Sequence, residues 1–305
     1  MNSPAVASEL KPINPSSEVA QEVAEYRIDQ SPRSVVTEWK ADNAKAYMIA
    51  IHGFGLHKGA FDQFAKAMQE RNVTTYALDV RGFGGWGSKE KQSLNFDKTF
   101  EDVTALVHEI RSEHADKPIF LIGESMGGAI ALQYSARFNG VVDGVISSVP
   151  ANDRFAKFRT AFSVGTSYIL TGGNRINLKN ILVHRVFHNK ELQRSWETDP
   201  DSKLNFKLAE LLTLRRFMHD AETSATQIRS LPVLVVQGER DRLVKPQGTE
   251  KIFDELQTKD KQLLERPQGE HLTFEDGQFD DKVVSSVENW ISQHSNIPIL
   301  SASAQ

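Results

Sequence analysis

The 305-residue sequence contains no cysteine. This absence excludes a disulfide framework, a thiolate nucleophile and a cysteine-ligated metal site. It is compatible with a reducing compartment, so a cytoplasmic location is the default expectation. The sequence also has no apolar run that approaches the roughly 18 residues of a membrane-spanning helix, and it therefore predicts no such helix.

A strong excess of charge of either sign is also missing. Lys and Arg number 36 against 40 Asp and Glu, which gives a formal net charge of -4 and no overall attraction to nucleic acid. The distribution is uneven, because residues 151–230 hold thirteen Lys/Arg and eight Asp/Glu. This local excess of cations favours contact with an anionic membrane surface.

Short β-branched or apolar runs alternate along the chain with segments of helical periodicity. The predicted strands are AYMIAIH (46–52), VTTYALDV (73–80), PIFLIG (118–123), VVDGVISS (141–148), PVLVVQG (232–238) and KQLLERP (261–267). Several are apolar nearly throughout, as strands covered on both faces should be. The pattern predicts an α/β fold in which helices flank a mostly parallel central sheet.

Residues 151–230 interrupt this alternation. They contain helical stretches such as KLAELLTLRRFMH but no convincing strand, so we interpret them as a helical cap inserted between two core strands. The core then comprises residues 31–150 and 231–296. Residues 1–30 lack the basic and apolar regions of a secretory signal and are expected to form a flexible arm.

The segment Gly123-Glu124-Ser125-Met126-Gly127 matches G-x-S-x-G directly after a predicted strand and directly before a helical run. A sharp strand-to-helix turn exposes the serine hydroxyl, and small flanking residues allow neighbouring backbones to approach. A random chain of this length contains the pattern with a probability of roughly 0.1, so the strand-turn-helix context carries the assignment. Ser125 is the predicted nucleophile.

A serine nucleophile needs a base, and histidine is suited because it titrates near neutral pH. Of the nine histidines, His271 follows the last predicted core strand, where this fold places its base. A carboxylate is expected after the preceding strand, and Asp241 in GERDR is preferred there over Glu239. A solvated or Arg-paired loop carboxylate is the alternative role for Asp241. The order Ser125, Asp241, His271 is typical of α/β hydrolases.

Stabilisation of a tetrahedral intermediate requires backbone N–H groups that bind its oxyanion. One predicted donor is Met126, which follows the nucleophile at a helix N-terminus. The second is Phe54 in His52-Gly53-Phe54-Gly55, which follows a predicted core strand. The alternatives are a tight turn without function and, for His52, a buried structural role, which we prefer for that residue.

Two other patterns are poor candidates for binding sites. The segment GFGGWG (82–87) satisfies G-x-G-x-x-G, but the polar SKEKQ that follows does not open a packed helix, so a dinucleotide site is not predicted. His184 and His188 lack the glutamate of H-E-x-x-H and a third ligand, so we interpret them as a surface pair. The triad and oxyanion hole would require neither cofactor nor metal.

These segments resemble the monoacylglycerol lipase and lysophospholipase-like group of α/β hydrolases, which is also described with the serine aminopeptidases. The likeness covers roughly residues 30–295 and rests on HGFGLHKGAFDQFAKAM, LDVRGFGGWG, IFLIGESMGGAIALQYSAR, LVVQGERDRLVKPQG and GEHLTFED. The resemblance implies the same triad and oxyanion residues as above. It also implies a lid over an acyl tunnel and an ester substrate with one fatty chain.

The leading hypothesis is therefore hydrolysis of a small-molecule monoacyl lipid ester, such as a monoacylglycerol or lysophospholipid, through an acyl-serine intermediate. Apolar cap residues either present surface to the acyl chain or pack the cap onto the core; they are Phe155, Phe158, Phe162, Val164, Tyr168, Ile169 and Leu170. A peripheral membrane contact through the cap accompanies this hypothesis. The alternatives are a short-chain esterase, a thioesterase or a small-peptide amidase, and a ligand receptor that retains the triad without turnover.

Overall fold

The computed structural model describes residues 35–87, 93–150, 175–275 and 277–295. Its central element is a seven-stranded sheet with the order β1-β3-β2-β4-β5-β8-β9. The strands of this sheet are β1 (Val36–Trp39), β2 (Ala46–Ile51), β3 (Val73–Leu78), β4 (Ile119–Glu124), β5 (Gly144–Ser148), β8 (Val233–Gly238) and β9 (Lys261–Arg266). All neighbouring pairs are parallel except β1 with β3.

The predicted α/β fold with a mostly parallel sheet is confirmed. Each of the six predicted strands has a counterpart, with ends that differ by at most three residues. Strand β1 was not predicted, because four residues with the sequence VTEW form an edge strand that is only partly buried. Its pairing with β3, which aligns Val36 with Leu78, stabilises a strand that the local sequence does not predict.

Helices cover both faces of the sheet and also form the described part of the cap. They are α1 (Asp62–Gln69), α2 (Gly84–Gly87), α3 (Phe96–Glu113), α4 (Met126–Arg137), α5 (Lys179–Val186), α6 (Lys190–Thr198), α7 (Leu208–Ala225), α8 (Pro246–Glu255) and α9 (Asp281–His294), with a 3-10 turn at Lys58–Phe61. None of the described helices is long and apolar enough to span a membrane.

The hydrophobic core lies on both faces of the sheet. Successive residues of β4 alternate between them: Phe120 and Ile122 pack with α1 and α9, whereas Leu121 packs with α3 and α4. This alternation is the normal consequence of strand geometry, and it explains why strands covered on both faces are apolar at every position. The rigid sheet fixes the loops at its carboxyl edge.

The described cap residues run from 175 to 230. Helix α7 packs against the core, where the rings of Phe217 and Phe96 stack with centroids 3.6 Å apart. The expectation of a cap without strands needs a small correction, because β6 (Ile176–Asn177) pairs antiparallel with β7 (Asn205–Phe206). Two-residue strands leave no periodic signal in the sequence. The apolar residues named above for an acyl chain, and the arm, lie outside the described residues.

Candidate active site

Ser125 lies on the sharp turn between β4 and α4. Its backbone has φ 53° and ψ -110°, a strained conformation that residues with a side chain rarely adopt. The Ser125 N–H donates to the carbonyl of Ser148 at 2.8 Å, and the Ser125 carbonyl accepts from the Ala129 N–H at 3.0 Å as α4 begins. The predicted nucleophile therefore occupies a constrained strand-to-helix turn.

Two glycines allow this turn to pack closely. A Cβ at Gly123 would lie 2.2 Å from the carbonyl oxygen of Gly127, and a Cβ at Gly127 would lie 1.9 Å from the carbonyl oxygen of Ile51. Both distances are far below van der Waals contact, so any side chain would push α4 away from its neighbours. The start of α4 is thereby held against the loop that follows β2.

The two predicted oxyanion donors belong to the two segments that meet at this contact, α4 and the loop after β2. Met126 is the first residue of α4, and Phe54 lies in the loop after β2. Within the described parts of the chain, neither backbone N–H donates to another carbonyl. A free N–H in the first turn of a helix favours an anion. Both groups are therefore available to a bound oxyanion.

His52 is fully buried at the start of the loop after β2. Its Nε2 accepts from the Val80 N–H at 3.0 Å, so its proton is on Nδ1, which lies 2.8 Å from the Gly53 carbonyl. Burial lowers the pKa of His52 to about 4, and the ring stays neutral at neutral pH. His52 thus joins the loops after β2 and β3, which is the structural role expected of it.

His271 and Asp241 form a buried pair. The distance from His271 Nδ1 to Asp241 Oδ2 is 2.8 Å, and their side chains are 2% and 0% exposed. A carboxylate at Nδ1 keeps the proton there and leaves Nε2 free to accept one. The other oxygen of Asp241 accepts from the N–H groups of Leu243 and Val244 at 2.7 and 2.9 Å, which fixes the carboxylate in its loop.

The acid loop after β8 and the histidine loop after β9 are joined by their backbones. The Glu239 N–H donates to Arg266 at 3.0 Å, and the Arg240 N–H donates to Gly269 at 2.9 Å. A Cβ at Gly238 would lie 2.6 Å from the Gly269 carbonyl oxygen, which shows how closely the loops approach. The side chain of Glu239, the alternative carboxylate, is exposed, unlike that of Asp241.

Loops from separate strands converge around Gly53. A Cβ there would lie 3.5 Å from the carbonyl oxygen of Glu124 and 3.7 Å from Leu272, which precede Ser125 and follow His271. This edge carries the carboxyl ends of the parallel strands, where sites of α/β sheets form. No hydrogen bond joins Ser125 Oγ to His271 Nε2 in this structure. Such bonds often form only with substrate bound.

Glu124, the last residue of β4, carries a buried carboxylate that is 1% exposed. Its Oε1 accepts from the Phe274 N–H at 2.7 Å and also from the Thr273 N–H, two residues after His271. Burial raises the pKa of Glu124 to about 7, against the opposing effects of these N–H groups, His271 and Arg266. Sequence reasoning gave Glu124 no role, because G-x-S-x-G leaves its position free.

The glycine-rich segment after β3 folds around a buried carboxylate. Asp79 Oδ2 accepts from the Gly85 N–H at 2.8 Å, Oδ1 accepts from the Lys58 N–H at 2.7 Å, and Trp86 Nε1 donates to the Asp79 carbonyl at 3.0 Å. A Cβ at Gly84 would lie 2.3 Å from this carboxylate. An acidic side chain of the protein therefore occupies the Gly85 N–H of the glycine-rich segment.

The cap is bonded to the loop that carries Phe54. The Gly55 carbonyl accepts from Trp196 Nε1 at 3.2 Å and from the Lys203 N–H at 2.9 Å. The rings of Phe54 and Phe206 stack with centroids 4.2 Å apart. Trp196 and Lys203 thus restrain the backbone of this loop, and Phe206 restrains its aromatic side chain.

An ion pair also joins the cap to this loop. His57 Nε2 lies 2.6 Å from Asp199 Oδ2, while His57 Nδ1 accepts from the Gly59 N–H at 3.1 Å. Burial lowers the pKa of His57, but the hydrogen bond and charge of Asp199 outweigh it and raise the pKa overall. Burial would raise the pKa of Asp199, but the His57 bond and the Asp201 N–H bring it down to about 2.

The C-terminal end of α5 contacts the acid and histidine loops. Arg242 donates to the His184 carbonyl at 3.0 Å, and Glu270 accepts from the His188 N–H at 3.0 Å and pairs with the His188 ring. Both histidines are exposed, and the described residues contain no cluster that could hold a metal. The surface pair was expected; the bond to Glu270, 82 positions away, was not visible in the sequence.

The parallel sheet, the strained serine turn and the buried His–Asp pair define an α/β hydrolase of the serine type. The chain belongs to the family described as serine aminopeptidase, S33, which matches residues 42–278. The match spans the core on both sides of the cap. The predicted resemblance to this group is thereby confirmed.

Individual relatives differ in their named activities. The monoacylglycerol lipase of Mycolicibacterium smegmatis is 27% identical over 270 residues, which cover 86% of this chain and 94% of that protein. The proline iminopeptidase of Thermoplasma volcanium is 24% identical over 264 residues, which cover 77% of this chain and 85% of that protein.

A solved structure shares the fold. The soluble variant of monoglyceride lipase from Saccharomyces cerevisiae, in complex with a substrate analog, superimposes with a TM-score of 0.71 at 20% identity. The alignment covers 86% of this chain and 92% of that one. At this identity the likeness establishes the fold alone.

Proposed function

We propose that this protein cleaves carboxylic esters of monoacyl lipids, such as a monoacylglycerol or a lysophospholipid, through an acyl-serine intermediate. The observation that carries the proposal is the buried 2.8 Å contact between His271 and Asp241, in loops that meet the strained Ser125 turn. In this scheme Ser125 is the nucleophile, His271 the base and Asp241 the residue that orients the base.

The first half-reaction transfers the acyl group to the enzyme. Ser125 Oγ attacks the ester carbonyl as His271 Nε2 takes the hydroxyl proton. The tetrahedral oxyanion is bound by the N–H groups of Met126 and Phe54, which have no competing carbonyl among the described residues. His271 then returns the proton to the departing alcohol, and the C–O bond breaks.

The second half-reaction releases the fatty acid. His271 Nε2 takes a proton from a water molecule, whose oxygen attacks the acyl carbonyl at the same oxyanion site. The intermediate collapses, the proton passes to Ser125 Oγ, and the enzyme is restored. Asp241 holds the imidazole tautomer throughout and stabilises the transient imidazolium, so it takes no proton itself.

The substrate class is supported by the relatives and by the surroundings of the oxyanion loop. The lipases of M. smegmatis and S. cerevisiae are named for monoacyl glycerides. Three rings form a cluster at the loop, with centroid distances of 4.2 Å for Phe54 to Phe206 and 5.6 Å for Phe54 to Phe83. Phe83 and Phe206 are buried, so the partly exposed ring of Phe54 is the member of this cluster that would contact a fatty chain.

The same proposal assigns a role to each part of the chain. Residues 31–150 and 231–296 would form the catalytic core, and residues 151–230 the cap that covers it. The contacts of Trp196, Lys203 and Asp199 with the Phe54 loop support this division, because they join the cap to the site. A cytoplasmic location stays a prediction.

Peripheral contact with a membrane surface would occur through α7. Leu212 is the largest exposed apolar side chain of the described residues, at 55%, and Arg215 and Arg216 are exposed on the same helix. An apolar side chain with neighbouring cations suits an anionic lipid interface. The contact would bring the cap to the source of a lipid substrate.

An amidase acting on small peptides is the second candidate function. The family description and the proline iminopeptidase relative favour it, since both denote cleavage of a peptide bond. The triad and oxyanion hole serve esters, thioesters and amides alike, so the distinction lies in the pocket. Substrate profiling therefore has to include both bond types.

The test is hydrolysis of 1-monoacylglycerol, lysophosphatidylcholine, p-nitrophenyl esters of two to sixteen carbons and prolyl p-nitroanilide. The Ser125→Ala variant should lose a factor of about 10³–10⁶ in kcat. Ser112→Ala is the matched control, because Ser112 is an exposed serine on α3.

Each outcome of the profile has a defined meaning. Cleavage of long monoacyl lipids by wild type and Ser112→Ala, but not by Ser125→Ala, supports both triad and substrate. A preference for acetyl over octanoyl and longer esters contradicts the lipid assignment. Turnover of the anilide alone replaces it by the amidase function, and activity of Ser125→Ala equal to wild type refutes the nucleophile.

A further inference from the structure

Glu124 is a buried acid that the reaction scheme above does not use. It lies directly before Ser125 in the chain, and its carboxylate bonds to the two N–H groups directly after the His271-Leu272 pair. One side chain therefore connects the nucleophile turn to the histidine loop. This link spans 149 positions in the sequence.

A carboxylate is an unfavourable choice for a purely structural link in this place. The side chain is 1% exposed, and burial of a charge costs far more than burial of an apolar group of the same shape. The charged groups that act on Glu124 are His271 and Arg266. Arg266 bonds to the Gln278 carbonyl at 2.8 Å through one nitrogen, so its charge reaches Glu124 without a direct ion pair.

The position of the charge suits the step in which His271 becomes positive. When His271 Nε2 takes the proton from Ser125 Oγ, an imidazolium forms beside the two bonded N–H groups. The Glu124 carboxylate, whose charge interacts with His271, favours the charged form of the ring over the neutral one. Its effect is therefore larger in the transition state than in the resting enzyme, which is the condition for accelerating a reaction.

We propose that Glu124 is a positioning residue for the base: its carboxylate fixes the histidine loop, and its negative charge stabilises the imidazolium of His271. Glu124 takes no proton from the substrate and forms no covalent bond. The proposal rests on the triad proposed above but is independent of the lipid substrate.

The expected pH dependence of activity follows from the burial of Glu124 and from the effect of its charge on His271. Burial raises the pKa of Glu124 to about 7, so the carboxylate is charged on the alkaline side of this value, where serine hydrolysis needs a neutral resting His271. Removal of the charge makes the imidazolium form of His271 less favourable. The acid limb of the activity profile then moves to lower pH, while the plateau rate falls.

The experiment measures how fast a fluorophosphonate probe labels Ser125 between pH 5 and 9. Glu124→Gln keeps an oxygen acceptor for Thr273 and Phe274 but removes the charge, whereas Glu124→Asp keeps the charge with a shorter reach. Glu239→Gln is the matched control, because Glu239 is an exposed carboxylate in the acid loop. Steady-state kcat and KM with p-nitrophenyl butyrate complete the set.

We expect Glu124→Gln to label about 5- to 30-fold more slowly at pH 8.5, with an acid limb lower by about half a unit to one unit. The loss should appear in kcat, with KM within about twofold of wild type. Glu124→Asp should be slower than wild type but keep its acid limb. Glu239→Gln should match wild type throughout.

A second readout tests whether Glu124 is a buried carboxylate that titrates near neutral pH, as the proposed charge requires. A raised carboxyl pKa means that wild-type stability falls as pH rises from about 4.5 to about 7, because the folded state holds the proton more tightly. Glu124→Gln should lack this fall in its melting temperature. A difference in melting temperature between wild type and Glu124→Gln that is the same at every pH would show that Glu124 does not titrate in this range, which would contradict the expected pH dependence.

Two results would overturn the proposal, and they differ from each other. If wild type is labelled but the Glu124→Gln profile superimposes on it, Glu124 has no positioning role and the triad stands. If wild type is not labelled at any pH, the triad fails and the role of Glu124 fails with it. A shift of the acid limb in Glu124→Asp equal to that in Glu124→Gln would also refute stabilisation by charge.

Discussion

Replacing Asp199 by Asn would remove the charge that holds the cap to the Phe54 loop while keeping the shape of the side chain. Burial would raise the pKa of Asp199, but the bond and charge of His57, together with hydrogen bonds from the Asp201 N–H and the Ser202 hydroxyl, lower it from 3.8 to about 2. A shift of nearly two units corresponds to about 2.5 kcal/mol of stability. Because Asp199 is 26% exposed, screening by solvent reduces the expected loss to about 1–2 kcal/mol.

The loss depends on pH in a way that identifies the pair. Asp199 contributes stability above its unfolded pKa near 3.8, and this contribution disappears as the pH falls through about 2. His57 has a raised pKa, so its contribution is complete below 6.5 and disappears as the pH rises through its folded value. The difference between wild type and Asp199→Asn should therefore be largest between about pH 4 and 6.5.

Thermal unfolding monitored by circular dichroism measures this difference. We expect Asp199→Asn to melt about 2–3 °C below wild type at pH 5.5 and closer to it at pH 8.5. Asp201→Asn is the matched control, since it removes a neighbouring exposed charge, the smallest of the effects that raise the pKa of His57, but leaves the bond between His57 and Asp199. A melting temperature that is lowered by the same amount at every pH, or lowered as much in Asp201→Asn, would refute the assignment to this ion pair.

Three further substitutions test other parts of the structure. Asp241→Asn should lower kcat for p-nitrophenyl butyrate at pH 7.5 by about 10⁴ without unfolding the protein, and a loss below tenfold would contradict its role. Gly127→Ala places a Cβ 1.9 Å from the Ile51 carbonyl oxygen and should cost at least about 3 kcal/mol in urea unfolding; wild-type stability would show that α4 can move. The double change Arg215→Glu, Arg216→Glu should weaken binding to anionic vesicles more than tenfold with butyrate hydrolysis unchanged, and equal binding would exclude this face.

Much of the candidate site could be predicted because its residues follow strands. Parallel strands deliver their carboxyl ends to one edge of a sheet, so a residue after a predicted strand has a predictable neighbourhood. Ser125, Asp241 and His271 each follow such a strand, and the loops containing the last two are bonded to each other. Phe54 and Met126 follow from the same reasoning.

The features that could not be predicted depend on contacts between residues far apart in the sequence, which a local sequence pattern does not indicate. Strand β1 forms because it pairs with β3, whereas its sequence VTEW has no clear alternation of apolar and polar residues. The pair of His57 with Asp199 spans 142 positions, and that of His188 with Glu270 spans 82. Each member is an ordinary polar residue in its own segment, so only the fold reveals the partner.

The cap contacts the core at positions adjacent to the candidate site residues. Gly55 follows Phe54, Arg242 follows Asp241, and Glu270 precedes His271, and each bonds to the described cap. A cap that moved as one body would therefore pull on the oxyanion, acid and histidine loops together.

The energies of these contacts determine how motion of the cap would affect the positions of the three loops. Bonds of this kind contribute about 0.5–1.5 kcal/mol each, so one broken contact leaves the loops in place. Loss of all of them together would remove several kcal/mol and would release three loops whose positions catalysis requires to within a fraction of an ångström. A closed cap and an ordered site are thus favoured by the same bonds, and substitutions in the cap should change kcat as well as KM.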